Sequence, residues 1–381
     1  MAYFDNAATS FPKPQEVYSF MDFFYQESGG SAGRGNNRFA NNAKGIVDET
    51  RALLQELLHC PAKQVVFTPT ATIALNMIIQ GIIMEGARNI FISPFEHNAV
   101  TRTLYHFEKL GVITVSELAV TDDLEYDLKS IRYQFEAVHP DMVIVSHASN
   151  VIGLISPVEE ICTLGKSFGA ITLVDMAQTA GLVDLNVGLE TIDFAVVAGH
   201  KTLLGPTGIS AFLMNPSIKL SPILYGGTGY DSANQDMPSS LPEKYEMGTI
   251  NTVGVAGLNA SLKWIREQTI PKLYRLEQEH RMQLLDTFSN YSFIHVVGNV
   301  EGREYVGIVS CLLDGISSDS AGGIFSEQGI AIRTGLQCAP RAHKKLGTFP
   351  AGTLRFSVGP FTDENDFTEL ASALDYIEEN I

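Results

Sequence analysis

The sequence predicts an α/β protein with a large domain, built on a mostly parallel sheet that helices cover on both faces, and a smaller α+β domain. At 381 residues the chain exceeds the usual size of a single domain. In its first two-thirds, short and fully apolar runs alternate with helix-like patterns, which is typical of parallel strands buried on both faces. After about residue 255 the helical patterns lengthen and the strands alternate apolar and polar residues, which indicates the second domain.

Short β-branched runs predict the strands, and longer periodic segments predict the helices. In the first part we expect strands at 65–67, 89–92, 142–145, 171–174 and 194–197, and helices at 73–83 and in a stretch ending at His106. In the second part we expect a helical region at 257–285, interrupted near Pro271, then strands at 306–312 and 353–358 and a helix at 364–377. The glycine-rich segment 28–35 is predicted to be a loop. Ligands bind beyond the carboxyl ends of parallel strands, so polar residues that follow these runs are the candidate site residues.

The net charge and the cysteines limit the classes of binding partner and the cellular compartment that we expect. The 43 acidic residues outnumber the 26 basic ones, and the net charge of −17 disfavours binding to nucleic acid or to an anionic membrane. The four cysteines form no CxxC pair, which is typical of a reducing setting. The N-terminal residues lack a secretory pattern, and no apolar stretch reaches the roughly 18 residues of a membrane span. We therefore expect a soluble, cytoplasmic protein.

Lys201 follows an apolar run, at the end of the strand where ligands bind. A lysine amine there can form a Schiff base with a carbonyl cofactor when partial desolvation lets it lose its proton. Gly199 and Gly205 would allow a bulky ligand to approach the backbone closely. The alternative is an ordinary solvated lysine in a glycine-rich turn.

Asp175 also ends an apolar run. Its carboxylate is suited to pair with the protonated pyridine nitrogen of pyridoxal phosphate, whose ring must act as an electron sink. Gln178, three residues further on, could hydrogen-bond the phenolic oxygen of that ring. The alternative for Asp175 is a helix N-cap, and the two interpretations are compatible.

Two further segments could complete such a site. Thr70, Ala71 and Thr72 lie between a strand and an apolar helix, where amides and hydroxyls favour a phosphate, although capping alone would also explain the threonines. His97 follows another strand and could stack on a flat ring and exchange protons with a substrate, or it could be structural.

Cys338 lies in the polar, glycine-containing segment 332–339 near Arg333, whose charge favours a thiolate. This pattern indicates a reactive cysteine. The other three cysteines are predicted to be free thiols, with a packing role for Cys162 and Cys311 in their apolar surroundings.

Arg355 lies within a strand pattern, and its planar guanidinium matches a carboxylate bidentately, with a structural ion pair as the alternative. The sequence lacks the GxGxxG and Walker patterns that would favour a nucleotide. A phosphate site, a stacking histidine, a pyridine partner, a Schiff-base lysine and a carboxylate-binding arginine together predict a pyridoxal 5′-phosphate site, with no metal ion.

On these motifs the chain resembles the class V aminotransferase family of fold type I pyridoxal-phosphate enzymes, and within it the group II cysteine desulfurases. The resemblance runs from segment 4–9 to the final helix and is most specific at 199–201, at 174–175 with Gln178, and at 333–335 with Cys338. It implies a large domain of residues 15–255 with a sheet of the seven-stranded type. It also implies a small domain of residues 1–14 and 256–381 that carries the cysteine loop.

The resemblance implies a role for each candidate residue. Lys201, Cys338 and His97 would be catalytic, with Lys201 bound to the cofactor and His97 stacked on its ring. The remaining cofactor contacts would come from Asp175, Gln178, Ala71, Thr72 and His200, and from Thr249 of a neighbouring subunit. That last contact implies a homodimer with shared active sites. The substrate would be bound by Asn150, Arg355, Arg333 and Arg34.

In this reading Cys338 takes the sulfur of L-cysteine as a persulfide, and L-alanine is released. The 16 residues between Cys338 and Arg355 resemble the short cysteine loop of group II enzymes, which need a sulfur-acceptor protein. Delivery to iron–sulfur cluster assembly, to tRNA thiolation or to DNA modification stays open. The alternatives are a selenocysteine lyase or another β-eliminating enzyme, a transaminase, and a non-catalytic cofactor-binding accessory protein.

Four positions depart from the pattern of the family. Ala198 stands where relatives usually have serine, which would remove one phosphate hydrogen bond. Gln337 and Asn37 stand where histidine is common, and Ile73 stands where glutamate is usual. These changes leave the Schiff-base lysine in place and could alter the docking of the acceptor or the rate.

Overall fold

The structure is a computed structural model that describes residues 1–32, 37–230 and 232–380. The predicted loop at 28–35 therefore falls partly outside the described residues. Within them, no helix has the length and apolar character that crossing a bilayer requires.

The chain forms alternating helices and strands. The helices are α1 (Gln15–Ser28), α2 (Arg38–Leu57), α3 (Ala71–Met84), α4 (Asn98–Lys109), α5 (Leu128–Ala137), α6 (Val158–Ser167), α7 (Thr252–Gln268), α8 (Ile270–Ser289), α9 (Ser318–Glu327), α10 (Pro340–Lys345) and α11 (Glu364–Asn380). The strands are β1 (Ala2–Tyr3), β2 (Gln64–Thr68), β3 (Asn89–Ile92), β4 (Thr114–Glu117), β5 (Met142–Ser146), β6 (Ile171–Asp175), β7 (Phe194–Ala198), β8 (Ser210–Met214), β9 (Ile294–Val297), β10 (Ile308–Leu313), β11 (Ile330–Ala331), β12 (Arg333–Gly335) and β13 (Thr353–Ser357).

A seven-stranded sheet in the order β2-β8-β7-β6-β5-β3-β4 forms the centre of the molecule. Strand β8 runs antiparallel to both of its neighbours, and the other pairs are parallel. Alternate residues of β5 enter different cores, with Val143 and Val145 on one face and Ile144 on the other. The first core also takes residues from α2, α5, α6 and α7, and the second from α3 and α4. This confirms the predicted α/β class and the mostly parallel sheet.

A second, antiparallel sheet in the order β12-β13-β10-β9 follows in the C-terminal part. Its core is aromatic, because the ring of Phe356 packs edge-on against Phe288 and Phe325 at centroid distances of 5.0 and 5.4 Å. The N-terminal residues join this part of the molecule, since β1 pairs with β11.

The domain limits stay a prediction. The limit at 255/256 lies inside α7, which packs against α1 and α2. The predicted interruption near Pro271 corresponds to Thr269, which has a positive φ of 68° and separates α7 from α8. Pro271 itself lies in the first turn of α8, where its missing N–H leaves no hydrogen bond unmade.

Candidate active site

A cavity of about 300 Å³ opens at the carboxyl ends of β6 and β7, at the lower end of the size range of ligand sites. Most of the predicted site residues line it, namely Ala71, Thr72, His97, Asn150, Asp175, Gln178, His200, Lys201, Arg333, Cys338 and Arg355. Thr249 instead lines a separate cavity of about 190 Å³ beside Phe67 and Ile73. Arg34 lies outside the described residues. The structure thus brings eleven of the thirteen predicted side chains to one cavity.

Lys201 lies in a turn three residues beyond β7. Gly199 is required there, because a Cβ atom would collide with the carbonyl oxygen of Ile209. Burial lowers the pKa of the Lys201 amine to about 8, although the nearby Asp175 carboxylate opposes the shift. An amine with this pKa loses its proton readily near neutral pH, as both Schiff-base formation and proton abstraction require.

Asp175 is the last residue of β6 and is buried. Residues 177–182 form turns, so Asp175 caps no helix, and its Oδ1 accepts a hydrogen bond from the Ala177 amide at 2.9 Å. Burial raises the pKa of Asp175, while the positive charge of Lys201 acts against that shift. Gln178 donates from Nε2 to the carbonyl oxygen of Ala7 at 3.0 Å, which ties the N-terminal segment to the site.

Glu96 is a buried carboxyl group that the sequence reasoning missed. It is fully inaccessible to solvent and accepts hydrogen bonds from the amide and the hydroxyl of Ser146, the residue opposite Asp175 in the sheet. Burial and the charge of Asp175 raise the pKa of Glu96 to about 8. Glu96 is therefore largely a neutral acid near neutral pH. A carboxylate four residues beyond the apolar strand β3 was the available signal.

His97 has the structural role that the sequence left open and also lies in the cavity, so its stacking role stays a prediction. It caps α4, since its Nδ1 accepts a hydrogen bond from the Ala99 amide at 3.0 Å, and its ring also lines the cavity. Burial, with the positive charge of Lys201 next in weight, lowers the pKa of His97 to about 4. The ring is therefore neutral, and because Nδ1 is an acceptor, the proton is on Nε2.

The N-terminus of α3 faces the same cavity. Thr70 caps this helix by accepting a hydrogen bond from the Ile73 amide at 3.2 Å. The capping that could have explained all the threonines is thus provided by Thr70, while Ala71 and Thr72 line the cavity. The free amides of a first helical turn favour an anion such as a phosphate.

Arg355 and Asn150 connect the cavity to the C-terminal sheet. The Arg355 side chain donates from Nη2 to Asp5 at 2.8 Å and from Nη1 to the carbonyl oxygen of Asn150 at 2.9 Å. The structural ion pair considered for Arg355 therefore exists, yet its buried Nε has no partner among the described residues. Asn150 donates from Nδ2 to the carbonyl oxygen of Gln337 at 2.6 Å. Arg333 is exposed and lies opposite Arg355 in the sheet.

Cys338 is the exposed member of the four cysteines, all of which lie in the described part of the chain. It occupies a tight turn in which both Gln337 and Cys338 have positive φ angles, of 39° and 57°. Such angles are costly for residues other than glycine and mark functional sites when the surroundings enforce them. The other three thiols are buried, and burial raises the pKa of Cys60 and of Cys162 to about 12.

The residues of the cavity fit pyridoxal 5′-phosphate. Lys201 offers an amine for the aldehyde, Asp175 an anion for the pyridine nitrogen, and α3 an N-terminus for the phosphate. His200 supports the fit, because its buried Nδ1 has no hydrogen-bond partner among the described residues, an arrangement that is unfavourable without a ligand. Ala198 lines the cavity without a hydroxyl, as the sequence implied.

Comparisons with known proteins identify the family of the chain. The model of the family described as aminotransferase class-V matches residues 2–370. A probable cysteine desulfurase from Pyrococcus abyssi is 28% identical, and the match covers 99% of this chain and 93% of that protein. The cysteine desulfurase from Haloferax volcanii is also 28% identical, with 100% and 90% covered. The apo structure of a cysteine desulfurase from Thermococcus onnurineus superposes with a TM-score of 0.90 at 26% identity, covering 100% of this chain and 95% of that one. The chain therefore belongs to the class V aminotransferase family of pyridoxal-phosphate enzymes.

Proposed function

We propose that this protein is a cysteine desulfurase, which converts L-cysteine to L-alanine and holds the released sulfur as a persulfide on Cys338. One observation carries the proposal: an exposed thiol on an enforced turn lines the same cavity as the partly deprotonated amine of Lys201. The cysteine desulfurases among the similar proteins support it.

The cavity residues would hold the cofactor and the substrate separately. Lys201 would attach the coenzyme, with Asp175 at the ring nitrogen, Gln178 at the phenolic oxygen, and His97 over the ring. Ala71, Thr72 and His200 would bind the phosphate. When bound, the coenzyme supplies an electron sink that acidifies the α-hydrogen of an amino acid.

Arg355 would bind the substrate carboxylate through its unpartnered Nε, because Nη2 already donates to Asp5 and Nη1 to the carbonyl oxygen of Asn150. Asn150 and Arg333 would border the same position. Arg34 stays a proposed substrate contact from the sequence alone. The Lys201 amine would accept the α-proton of an amino acid held in this way.

Cys338 would then take the sulfur. Its thiolate forms an S–S bond to the sulfur of the substrate as the bond between that sulfur and Cβ breaks, and the carbon skeleton gains a proton and leaves as L-alanine. Sulfur is oxidised from the thiol to the persulfide level while carbon is reduced to a methyl group, so no external oxidant is needed.

The protein would act as a cytoplasmic homodimer that passes its sulfur to an acceptor protein, with iron–sulfur cluster assembly as one destination. The position of Thr249 supports the dimer, because this residue is exposed, does not line the active-site cavity of its own chain and is available to a second copy. Light scattering that shows only monomers at working concentration would contradict this arrangement.

The decisive experiment compares the holoenzyme with a Cys338→Ser variant. We expect the wild type to release alanine and to carry a persulfide at residue 338, detected by alkylation and mass mapping of all four thiols. We expect Cys338→Ser to bind the coenzyme but to form no persulfide, with alanine release lower by about 100-fold or more. The matched control is Cys311→Ser, at a buried thiol outside the cavity.

Other outcomes would identify the alternatives. Normal alanine and sulfide release by Cys338→Ser would show a β-eliminating enzyme, and a preference for selenocysteine would show a lyase for that substrate. A yellow holoprotein that turns over no amino acid would show a cofactor-binding accessory protein.

A further inference from the structure

The turn that carries Cys338 is held by hydrogen bonds from two sides. From the side of the central sheet, Asn150 donates to the carbonyl oxygen of Gln337, and the Asn98 amide donates to the carbonyl oxygen of Cys338 at 2.7 Å. Both contacts use backbone oxygens of the turn. They bring its peptide groups next to His97 and leave the Cys338 side chain free.

From the other side, the turn is held by the side chain of Gln337, which is buried although it lies beside an exposed cysteine. Its Nε2 donates to the carbonyl oxygen of Thr353 in β13 at 3.0 Å. Its Oε1 lies 2.8 Å from Nε2 of His343 in α10. Because a carbonyl oxygen only accepts, the contact with Thr353 fixes the orientation of the amide, and His343 must then be the donor.

His343 is itself fully buried and is placed by a third side chain. Its Nδ1 lies 2.7 Å from Oγ1 of Thr348, and since Nε2 carries the ring proton, Nδ1 accepts from the threonine hydroxyl. Burial lowers the pKa of His343, which agrees with a neutral ring. None of His343, Thr348 and Thr353 lines the active-site cavity. These three residues can therefore affect the reaction only through the position of the turn.

We propose that Gln337 is a positioning residue for the Cys338 thiol: its buried amide, oriented by His343 and Thr348, enforces the left-handed turn that points Sγ into the cavity. The proposal rests on the proposed role of Cys338 and goes beyond it. Two successive residues other than glycine keep positive φ angles only when their surroundings compensate the strain, and the Gln337 amide supplies two of the compensating contacts.

The test separates the sulfur step from the proton step. Gln337→Met keeps the length of the side chain and removes all three hydrogen bonds of the amide, including the one that its Oε1 accepts from the Thr353 hydroxyl. His343→Phe keeps the ring volume and removes its hydrogen bonds. Each holoenzyme is mixed in excess with L-cysteine, and persulfide formation at residue 338 is timed by alkylation. Exchange of the α-hydrogen for deuterium is timed in parallel, because it needs Lys201 but not Cys338.

We expect Gln337→Met to slow persulfide formation by about 100-fold while α-exchange and the coenzyme spectrum stay at wild-type values, since only the thiol is misplaced. His343→Phe should slow the same step by about tenfold, and the double variant should be no slower than Gln337→Met, because both substitutions act through one contact. The matched control, His295→Ala, removes an exposed histidine of the same sheet and should change neither rate.

Two results would overturn the inference: persulfide formation in Gln337→Met at the wild-type rate, or α-exchange that falls in parallel with it, which would indicate a general effect on the fold. If the wild type itself forms no persulfide at residue 338, the proposed function fails instead. The two failures are therefore distinguishable.

Discussion

Lys201 and Cys338 line one cavity but are positioned by different physical means. Lys201 follows β7, a fully buried strand in the middle of the large sheet, and its turn is set by backbone packing at Gly199. Cys338 follows the three-residue edge strand β12, and its turn depends on side-chain hydrogen bonds from Asn150 and Gln337.

The difference follows from what each group must do. An amine that holds a cofactor has one partner and benefits from a rigid base, which a packed core provides. A thiol that receives sulfur and passes it on must meet two partners, so it lies exposed at the edge of the cavity. A few polar contacts can fix such a turn, and single substitutions can therefore release it.

The largest expected effect is that of replacing Lys201, the residue positioned by the packed sheet. Lys201→Ala removes both the attachment of the coenzyme and the base, so alanine release should fall by about 1,000-fold or more and α-exchange should fall with it. Borohydride reduction and peptide mapping of the wild type should label Lys201. The control, Lys219→Ala, removes an exposed lysine paired with Glu85 and should be fully active. Labelling at another lysine would refute the assignment.

An intermediate effect is expected for substitutions at two glycines, one next to Lys201 and one beneath the turn of Cys338. A Cβ at Gly199 would collide with the carbonyl oxygen of Ile209, and a Cβ at Gly352 would collide with the backbone of Gly335 beneath the thiol turn. Gly199→Ala should therefore lower α-exchange and persulfide formation together. Gly352→Ala should lower only persulfide formation, by about tenfold or more, because it displaces the turn but not Lys201.

Gly347→Ala is the matched control for the second variant. Gly347 has a φ of 72°, close to the 77° of Gly352, but its Cβ would meet no atom within 4 Å. It therefore introduces the strain without the collision, and persulfide formation should stay near the wild-type rate. Equal losses in Gly347→Ala and Gly352→Ala would show that backbone strain, and not displacement of the turn, is responsible.

The same contrast explains what the sequence could predict. The positions of Lys201 and Asp175 follow from a local rule, since each comes at the end of an apolar run in a parallel sheet. Contacts such as Arg355 with Asp5, or Gln337 with His343, depend on how separate segments pack, which no local pattern encodes. The network under Cys338 was therefore outside the reach of sequence reasoning.

Some elements were predictable from the sequence and were nevertheless missed. The prediction notes a helix-like segment before Cys60 but gives no bounds for α2, although its buried residues Ala43, Val47, Thr50 and Leu54 follow helical spacing and Asn37 supplies a cap. It also omits β8, the antiparallel strand between β2 and β7. Five consecutive buried residues give β8 the same appearance as its parallel neighbours, so sequence alone does not reveal its direction.

The smallest expected effect concerns stability and compares two buried carboxyl groups. Burial, with the charge of Asp175, raises the pKa of Glu96 to about 8, and burial alone raises that of Glu277 in α8 to about 7. For a carboxyl group whose pKa is raised in the folded state, the stabilisation is complete below the unfolded pKa. It is lost as the pH rises through the folded value. Glu96→Gln and Glu277→Gln have no proton to lose, so both should gain stability relative to the wild type between about pH 5 and pH 8.

The gain in stability should be larger for Glu96→Gln. The pH range over which wild-type Glu96 loses its stabilisation extends to about 8, whereas that of Glu277 extends to about 7. Urea midpoints at about pH 5 and pH 8 measure this gain, with Glu279→Gln on the exposed face of α8 as a control for the substitution itself. If Glu96→Gln were less stable than the wild type at the higher pH, Glu96 would be an anion in the folded protein. The assignment of Glu96 as a neutral acid would then be wrong. The carboxylates of Glu96 and Asp175 would instead have to share the positive charge of Lys201.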